Sequence, residues 1–394
     1  MKFLSLIAML SALLFAGAVQ AEAVDVTIVT LEGEEKGAKL ADIKPDAFVL
    51  EQGEAAFKDI SELRFNLVET APPAAAILLR NGDLLKGTIL SGDDTKLKLK
   101  TSALGEVELE NHFIDGISFT IKDGPAADVV ESFMKAPAPK GEDQLLLPKG
   151  DIVSGFVEKF SEKDFTFNVG GQSRQFAFDA IAGFRLAPLK DYQKHTDFRA
   201  TLNLRDGSSV TGKLTGLKEK TIAFESISGQ EWRAESSGLK SITFQGGKLV
   251  YLSDLKPKDV DQKPYVGGMP VVYGWRRDLA ATGEKLTING KQYARGLGVH
   301  SYSRLSYDLN GQFAKLLVDV GLDATAAAAA VCYWKIVADG KELAAGTAKA
   351  GDPPQTIRKD LDGVKTLELI CDYGADDDDA GDHFDWANAR LIKP

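Results

Sequence analysis

From Ser303 onward, apolar and polar positions alternate. Leu305, Tyr307 and Leu309 interleave with Ser306 and Asp308, the period-two signature of a half-buried strand. Asn310-Gly311 follows, a pair that tolerates the positive φ angles of a type I′ turn. Leu316, Val318 and Val320 then resume the alternation, so the pattern predicts a hairpin. A glycine-rich, polar segment, Arg295 to Ser303, leads into it. Together these features predict a β-sandwich with a rim of loops at one edge.

Residues 26–244 carry a different pattern, repeated four times over residues 26–66, 76–119, 144–186 and 200–244. Each copy opens with an alternating strand that stops at a glycine: Gly33, Gly82, Gly150 and Gly207. A second glycine follows four or five positions later, at Gly37, Gly87, Gly155 and Gly212, where it permits a sharp strand bend. Each copy closes on an apolar signature, such as Ile60, Leu63 and Phe65 or Ile114, Ile117 and Phe119. About five short strands per copy predict a small barrel, and the rhythm resembles an Sm-like β-barrel. Proline-bearing connectors (66–75, the longer linker 120–143, 187–199 and 245–264) predict four separate beads, with two paired two-repeat units as the other arrangement. Within the long linker, Asp128–Met134 reads as a helical turn.

The first 21 residues read as a cleavable signal: Lys2, an apolar run from Phe3 to Val19, then Val19-Gln20-Ala21. Glu22 and Asp25 follow instead of a positive flank, which argues against a membrane span. The expected location is secreted or periplasmic, at the cell envelope.

A formal net charge of −10 gives no electrostatic advantage on nucleic acid, so DNA and RNA are discounted as partners. Both cysteines fall in the last third. Cys332 is in phase with Trp334 and Ile336, and Cys371 with Leu367 and Leu369, so both thiols should face the core. A Cys332–Cys371 disulfide and two buried free thiols both remain open.

The stretches GLGVHSYSRLSYDL, VGLD, ADGKEL and HFDWANARL occur in that order between Tyr265 and Lys393. This succession resembles the NPCBM family of carbohydrate-binding modules. The resemblance implies a galactose-binding-like jelly roll over residues 265–394, within an all-β chain, and a glycan as partner. One departure stands out: the loop after VGLD is an alanine run, Ala326–Ala330, where the family commonly places acidic and polar residues.

Sugar sites in such modules offer an aromatic ring beside convergent polar groups. The candidate carbohydrate-binding residues are Tyr273, Trp275, His300, Ser301, Asp382, His383 and Trp386. Trp386 also reads as core, since Ala387, Ala389 and Leu391 follow it. The run Asp376, Asp377, Asp378 and Asp379 is a candidate Ca²⁺ site, because a hard cation would relieve the repulsion of adjacent carboxylates. No other cofactor is expected.

Enzyme chemistry is not expected. The sequence lacks G-x-S-x-G, H-E-x-x-H and a phosphate-binding glycine loop, and it has four histidines in all. The expected function is therefore non-catalytic binding of a glycan, galactose-type as the resemblance implies. The alternative is a structural or protein-interaction component of the envelope, contacting protein partners through the repeats.

Overall fold

The computed structural model describes residues 23–65, 75–121, 124–189, 192, 197–375 and 378–394. The expected signal sequence lies outside them. The described chain is all-β, apart from short 3-10 turns and one helix, Ala127–Lys135, at the place of the expected helical turn.

Each repeat is a five-stranded unit in the order 5-1-2-3-4, curled through its bent second strand. In repeat 2 the first strand, Ala75–Leu79, pairs with both the second, Leu84–Asp93, and the fifth, Ile114–Phe119. The chain reverses at Gly82, whose positive φ closes the turn onto Leu79. The second glycine sits where the bent second strand meets the third. A Cβ at Gly87, Gly155 or Gly212 would fall 2.1–2.6 Å from the carbonyl oxygen of Lys100, Asn168 or Glu225. Repeat 1 lacks this constraint, because no atom of the described residues lies within 4 Å of a Cβ at Gly37. The closing signature fills the barrel: Ile114, Ile117, Ile181, Phe184, Leu239 and Ile242 are all completely buried.

The repeats are not separate beads; they form two paired units, 2 with 3 and 1 with 4, which are themselves joined. The fifth strands of repeats 2 and 3 pair through Ile117 and Phe184. Those of repeats 1 and 4 pair through Leu63 and Ile242. Repeats 2 and 4 then join through their second strands, where Leu84 stands opposite Ser209. One continuous sheet and one hydrophobic core run through all four copies, in the spatial order 3-2-4-1. The physical reason is size: a barrel of about 43 residues encloses too little apolar volume to stand alone.

The long linker is likewise packed rather than free. Phe133 of the helix is buried against Leu146 and Ala182. Beneath it Arg185, almost inaccessible, donates to the carbonyl oxygens of Ala136 and Pro137 and to the Asp115 carboxylate.

Two sheets form the C-terminal sandwich. The first runs Arg276–Arg277, Gly296–His300, His383–Ile392, Lys315–Leu322, Gln355–Asp360, with Leu249–Tyr251 on the end of His383–Ile392. The second runs Asp259–Gln262, Ser303–Asp308, Thr366–Tyr373, Val331–Ala338, Lys341–Lys349. The stretch expected as a spacer, 245–264, thus supplies a strand to each sheet. Asn310 and Gly311 do adopt positive φ, but no hairpin results. Ser303–Asp308 pairs with Thr366–Tyr373 and Lys315–Leu322 with His383–Ile392, so the turn carries the chain between sheets. Buried Phe313 plugs that crossing.

The sandwich rests on repeat 1. Glu32 meets Lys315, and the Gly33 turn lies so close to the Arg390 guanidinium that a Cβ there would clash.

Candidate functional site

The register between Gly296–His300 and His383–Ile392 sets His300 directly opposite His383. Tyr273, on the loop before the first sheet, covers both. Its ring stacks on His300 at 5.2 Å and meets His383 edge-on at 4.7 Å, and the two imidazoles are 5.4 Å apart. Beside this trio opens a cavity of about 250 Å³, bounded by Gln262, Lys263, Tyr273, His300, Tyr302 and Asp379, among others. Tyr273 remains 37% exposed. Val271 and Val272 continue an apolar lip, Val272 being 77% exposed.

Hydrogen bonds fix the walls. Ser301 donates its hydroxyl to the Asp382 carboxylate, and the Ser301–Tyr302 peptide is cis. Lys263 and Tyr302 exchange backbone hydrogen bonds, while the Tyr373 hydroxyl donates to the Lys263 carbonyl. The Lys263 ammonium lies over the Tyr302 ring and pairs with Asp261. Asp379 accepts from the Tyr265 amide, tying the acidic loop to the segment that carries the lip. His383 is held from behind by Thr325, within reach of its Nδ1, and Thr325 donates in turn to Asp323. Burial lowers the His383 pKa, and among the described residues its Nε2 has no hydrogen-bond partner. Next along the same strand, burial and the neighbouring Asp323 push the Asp385 carboxyl well above the usual carboxylate range.

Of the expected residues, Tyr273, His300 and Ser301 line the cavity. His383 and Asp382 support it from within: both are buried, Asp382 completely. Trp275 stands apart, half-buried against the sandwich core with Arg277 over its ring. Trp386 must be corrected. It is fully buried between Phe384 and Trp334, and no ligand can reach its ring. The last strand is central in its sheet and covered on both faces, with Leu286, Ile288 and Tyr293 lying over its outer side at Ala387. Its side chains from Phe384 to Ala387 are therefore withdrawn from the rim.

The sequence reading missed Tyr302, Lys263 and Gln262. The aromatic-polar-serine run His300–Tyr302 was a usable signal. Lys263 and Gln262 carried none, since they lie in what reads as linker.

Of the candidate calcium ligands, Asp376 and Asp377 lie outside the described residues. Asp378 accepts from the Ala380 amide. Among the described residues, no group of three or more His, Cys, Asp or Glu side chains is placed to hold a metal ion. Cys332 and Cys371 are free thiols, both completely buried on neighbouring strands. No helix among the described residues is long and apolar enough to cross a membrane.

Residues 248–392 match the NPCBM/NEW2 domain. A Renibacterium salmoninarum protein named as an endo-alpha-N-acetylgalactosaminidase is 30% identical over 112 residues, which is 28% of this chain and 7% of that protein. The chain therefore spans only a small part of the curated relative it matches. A CBM51 module from Clostridium perfringens GH95, solved with methyl-galactose, is 25% identical, covering 36% of this chain and 99% of its own, with a TM-score of 0.33. CBM51-2 with the INT domains of C. perfringens ZmpB, solved with GlcNAc, is 24% identical over 44% of this chain and 36% of its own, with a TM-score of 0.33.

Proposed function

We propose that the NPCBM/NEW2 domain binds the end of a glycan chain in the cavity beside Tyr273, and that the protein is an exported, non-catalytic binding protein. The observation that carries this reading is the partly exposed Tyr273, its ring braced by two imidazoles, beside a largely apolar cavity with a few polar groups in its walls. An aromatic face suits the C–H face of a sugar, and Gln262, Lys263, Ser301 and Asp379 supply donors and acceptors for hydroxyls. At about 250 Å³ the cavity is smaller than the roughly 300–1,000 Å³ of drug-sized sites, which favours one terminal ring over a chain of several.

The family match and a relative named after a glycan-cleaving enzyme support the ligand class. A galactose-type sugar is the first candidate, on the family resemblance. Among the described residues that line the cavity, Asp379 is the one carboxylate, whereas glycoside hydrolysis ordinarily requires two facing across the scissile bond.

A glycan array probed with the exported chain tests the proposal. The expected result is binding to glycans sharing one terminal sugar, lost in Tyr273→Ala at unchanged Tm. A blank array from folded protein, or binding indifferent to Tyr273→Ala, would reject it.

A further inference from the structure

Contacts along the repeat array alternate between two kinds. Neighbours 3 and 2 meet through fifth strands, 2 and 4 through the starts of their second strands, and 4 and 1 through fifth strands again. The next contact beyond repeat 3 would be of the second kind. That contact is reciprocal about a pseudo-twofold centred where Leu84 faces Ser209. Asp83 of repeat 2 accepts from the amide and hydroxyl of Thr211 in repeat 4, both at 2.7 Å. In return the amide of Lys86 in repeat 2 donates to the hydroxyl of Ser208 in repeat 4.

Repeat 3 has the same parts in the same register. Its Gly155 pairs with Asp143 as Gly87 pairs with Ala75 and Gly212 with Ala200. Asp151 therefore takes the position of Asp83, Ile152 that of Leu84, and Ser154 that of Thr211. All three are exposed, and among the described residues this half of the strand has a neighbour on one side alone. Ile152 is 54% exposed and Phe156, two residues beyond Ser154, is 50% exposed. At the opposite end of the array, repeat 1 shows charge at the start of its second strand, with Glu34, Glu35 and Lys36, and its Gly33 turn is already against the sandwich.

We infer that this edge of repeat 3 docks the same edge of a second copy of the chain across a true twofold axis. One protomer's Asp151 accepts from the partner's Ser154, as Asp83 accepts from Thr211, and the reciprocal bond follows from symmetry. Ile152 meets its own copy on the axis, and the register sets Phe156 over the partner's Pro148. An open, apolar strand edge is otherwise a template for uncontrolled pairing, which the closed dimer removes. The dimer order becomes sandwich-1-4-2-3:3-2-4-1-sandwich, with the two binding domains at opposite ends. This inference is independent of what the cavity binds.

The test uses the full exported chain. Sedimentation over a concentration series should give twice the chain mass at the upper end. Ile152→Lys combined with Phe156→Lys should give a folded monomer with unchanged circular dichroism, since within one chain both side chains face solvent, and its Tm should no longer depend on concentration. Ile152→Cys should cross-link to a dimer under mild oxidation, because directly paired strand residues lie within the ~4.4–6.8 Å Cα span of a disulfide. The exposed control Lys341→Cys should not. A chain monomeric at every concentration, a dimer that survives the double lysine variant, or Ile152→Cys cross-linking no faster than Lys341→Cys would overturn the inference.

Discussion

Arg80 and Arg205 occupy equivalent places in repeats 2 and 4, and each fastens its repeat to the partner that shares its fifth strand. Arg80 donates to the His112 carbonyl in its own repeat and to the Leu186 carbonyl at the end of repeat 3. Arg205 donates to the Ser237 carbonyl in its own repeat and to the Phe65 carbonyl at the end of repeat 1. Repeats 1 and 3 have Leu31 and Pro148 at this turn, so each pair contains one giver and one receiver.

Arg80→Ala should therefore lower stability by about 1.5–3 kcal/mol, the range for hydrogen bonds made by a charged group. Arg80→Lys should recover little, because an ammonium lacks the planar fork that spans two carbonyls. Thermal melts of the two variants check this, and full rescue by lysine would contradict it.

The second glycine of each repeat gives a contrast within one chain. Gly155→Ala forces a Cβ to 2.1 Å from the Asn168 carbonyl oxygen and should cost about 1–3 kcal/mol. Gly37→Ala meets no atom of the described residues within 4 Å and should be neutral or stabilising by up to about 1 kcal/mol, through the unfolded state. Chemical denaturation of both variants is the measurement.

Trp386→Ala should destabilise the sandwich by about 3–5 kcal/mol, the cost of deleting a buried aromatic. Tyr273→Ala should leave Tm within a degree or two while abolishing glycan capture. The pair separates folding from recognition, and a Trp386→Ala protein that melts normally would refute the buried assignment.

Acidification acts on two neighbours with opposite sign. His383 is held below its ordinary pKa by burial, so the unfolded chain takes up that proton first. Its contribution to stability is present above about pH 6.5 and is lost as pH falls through the folded value. Asp385 is raised, so the folded chain binds its proton first, and stability is gained as pH falls toward about 4. Melts from pH 7.5 to 4 should show His383→Gln less sensitive to acid near pH 6. Asp385→Asn should be more stable than the parent at neutral pH, with that advantage shrinking on acidification.

Thiol titration distinguishes the two readings of the cysteines. The Cys332 thiol is pushed up in pKa by its hydrogen bond with Cys371 and by burial. The folded protein should thus be inert to a thiol reagent, and both cysteines should react once it is unfolded without reductant. Silence in both states would indicate a disulfide.

The strands and closing signatures were legible because period-two alternation and turn glycines are local properties. The partnership of repeats 1 and 4 was not. Leu63 and Ile242 read equally well as inward residues of two isolated barrels, and nothing local specifies which edges meet. The same holds at the cavity: Tyr273, His300 and Ser301 could be proposed from residue type, but Trp386 was ambiguous until the strand around it proved to be covered on both faces. Lys263 and Gln262 look like spacer because proline and charge dominate their neighbourhood, although Asp259–Gln262 is a sheet strand.

Because the fifth strand of repeat 1, Ile60–Phe65, pairs with Leu239–Gln245 of repeat 4, the first barrel leaves that edge open until almost the whole array has been made. Such sequence-distant closure is slow, and an edge left waiting invites mispairing. The order of synthesis therefore runs against the order of assembly: repeats 2 and 3 can mate as soon as both exist, whereas the first-made unit is the last to find its partner.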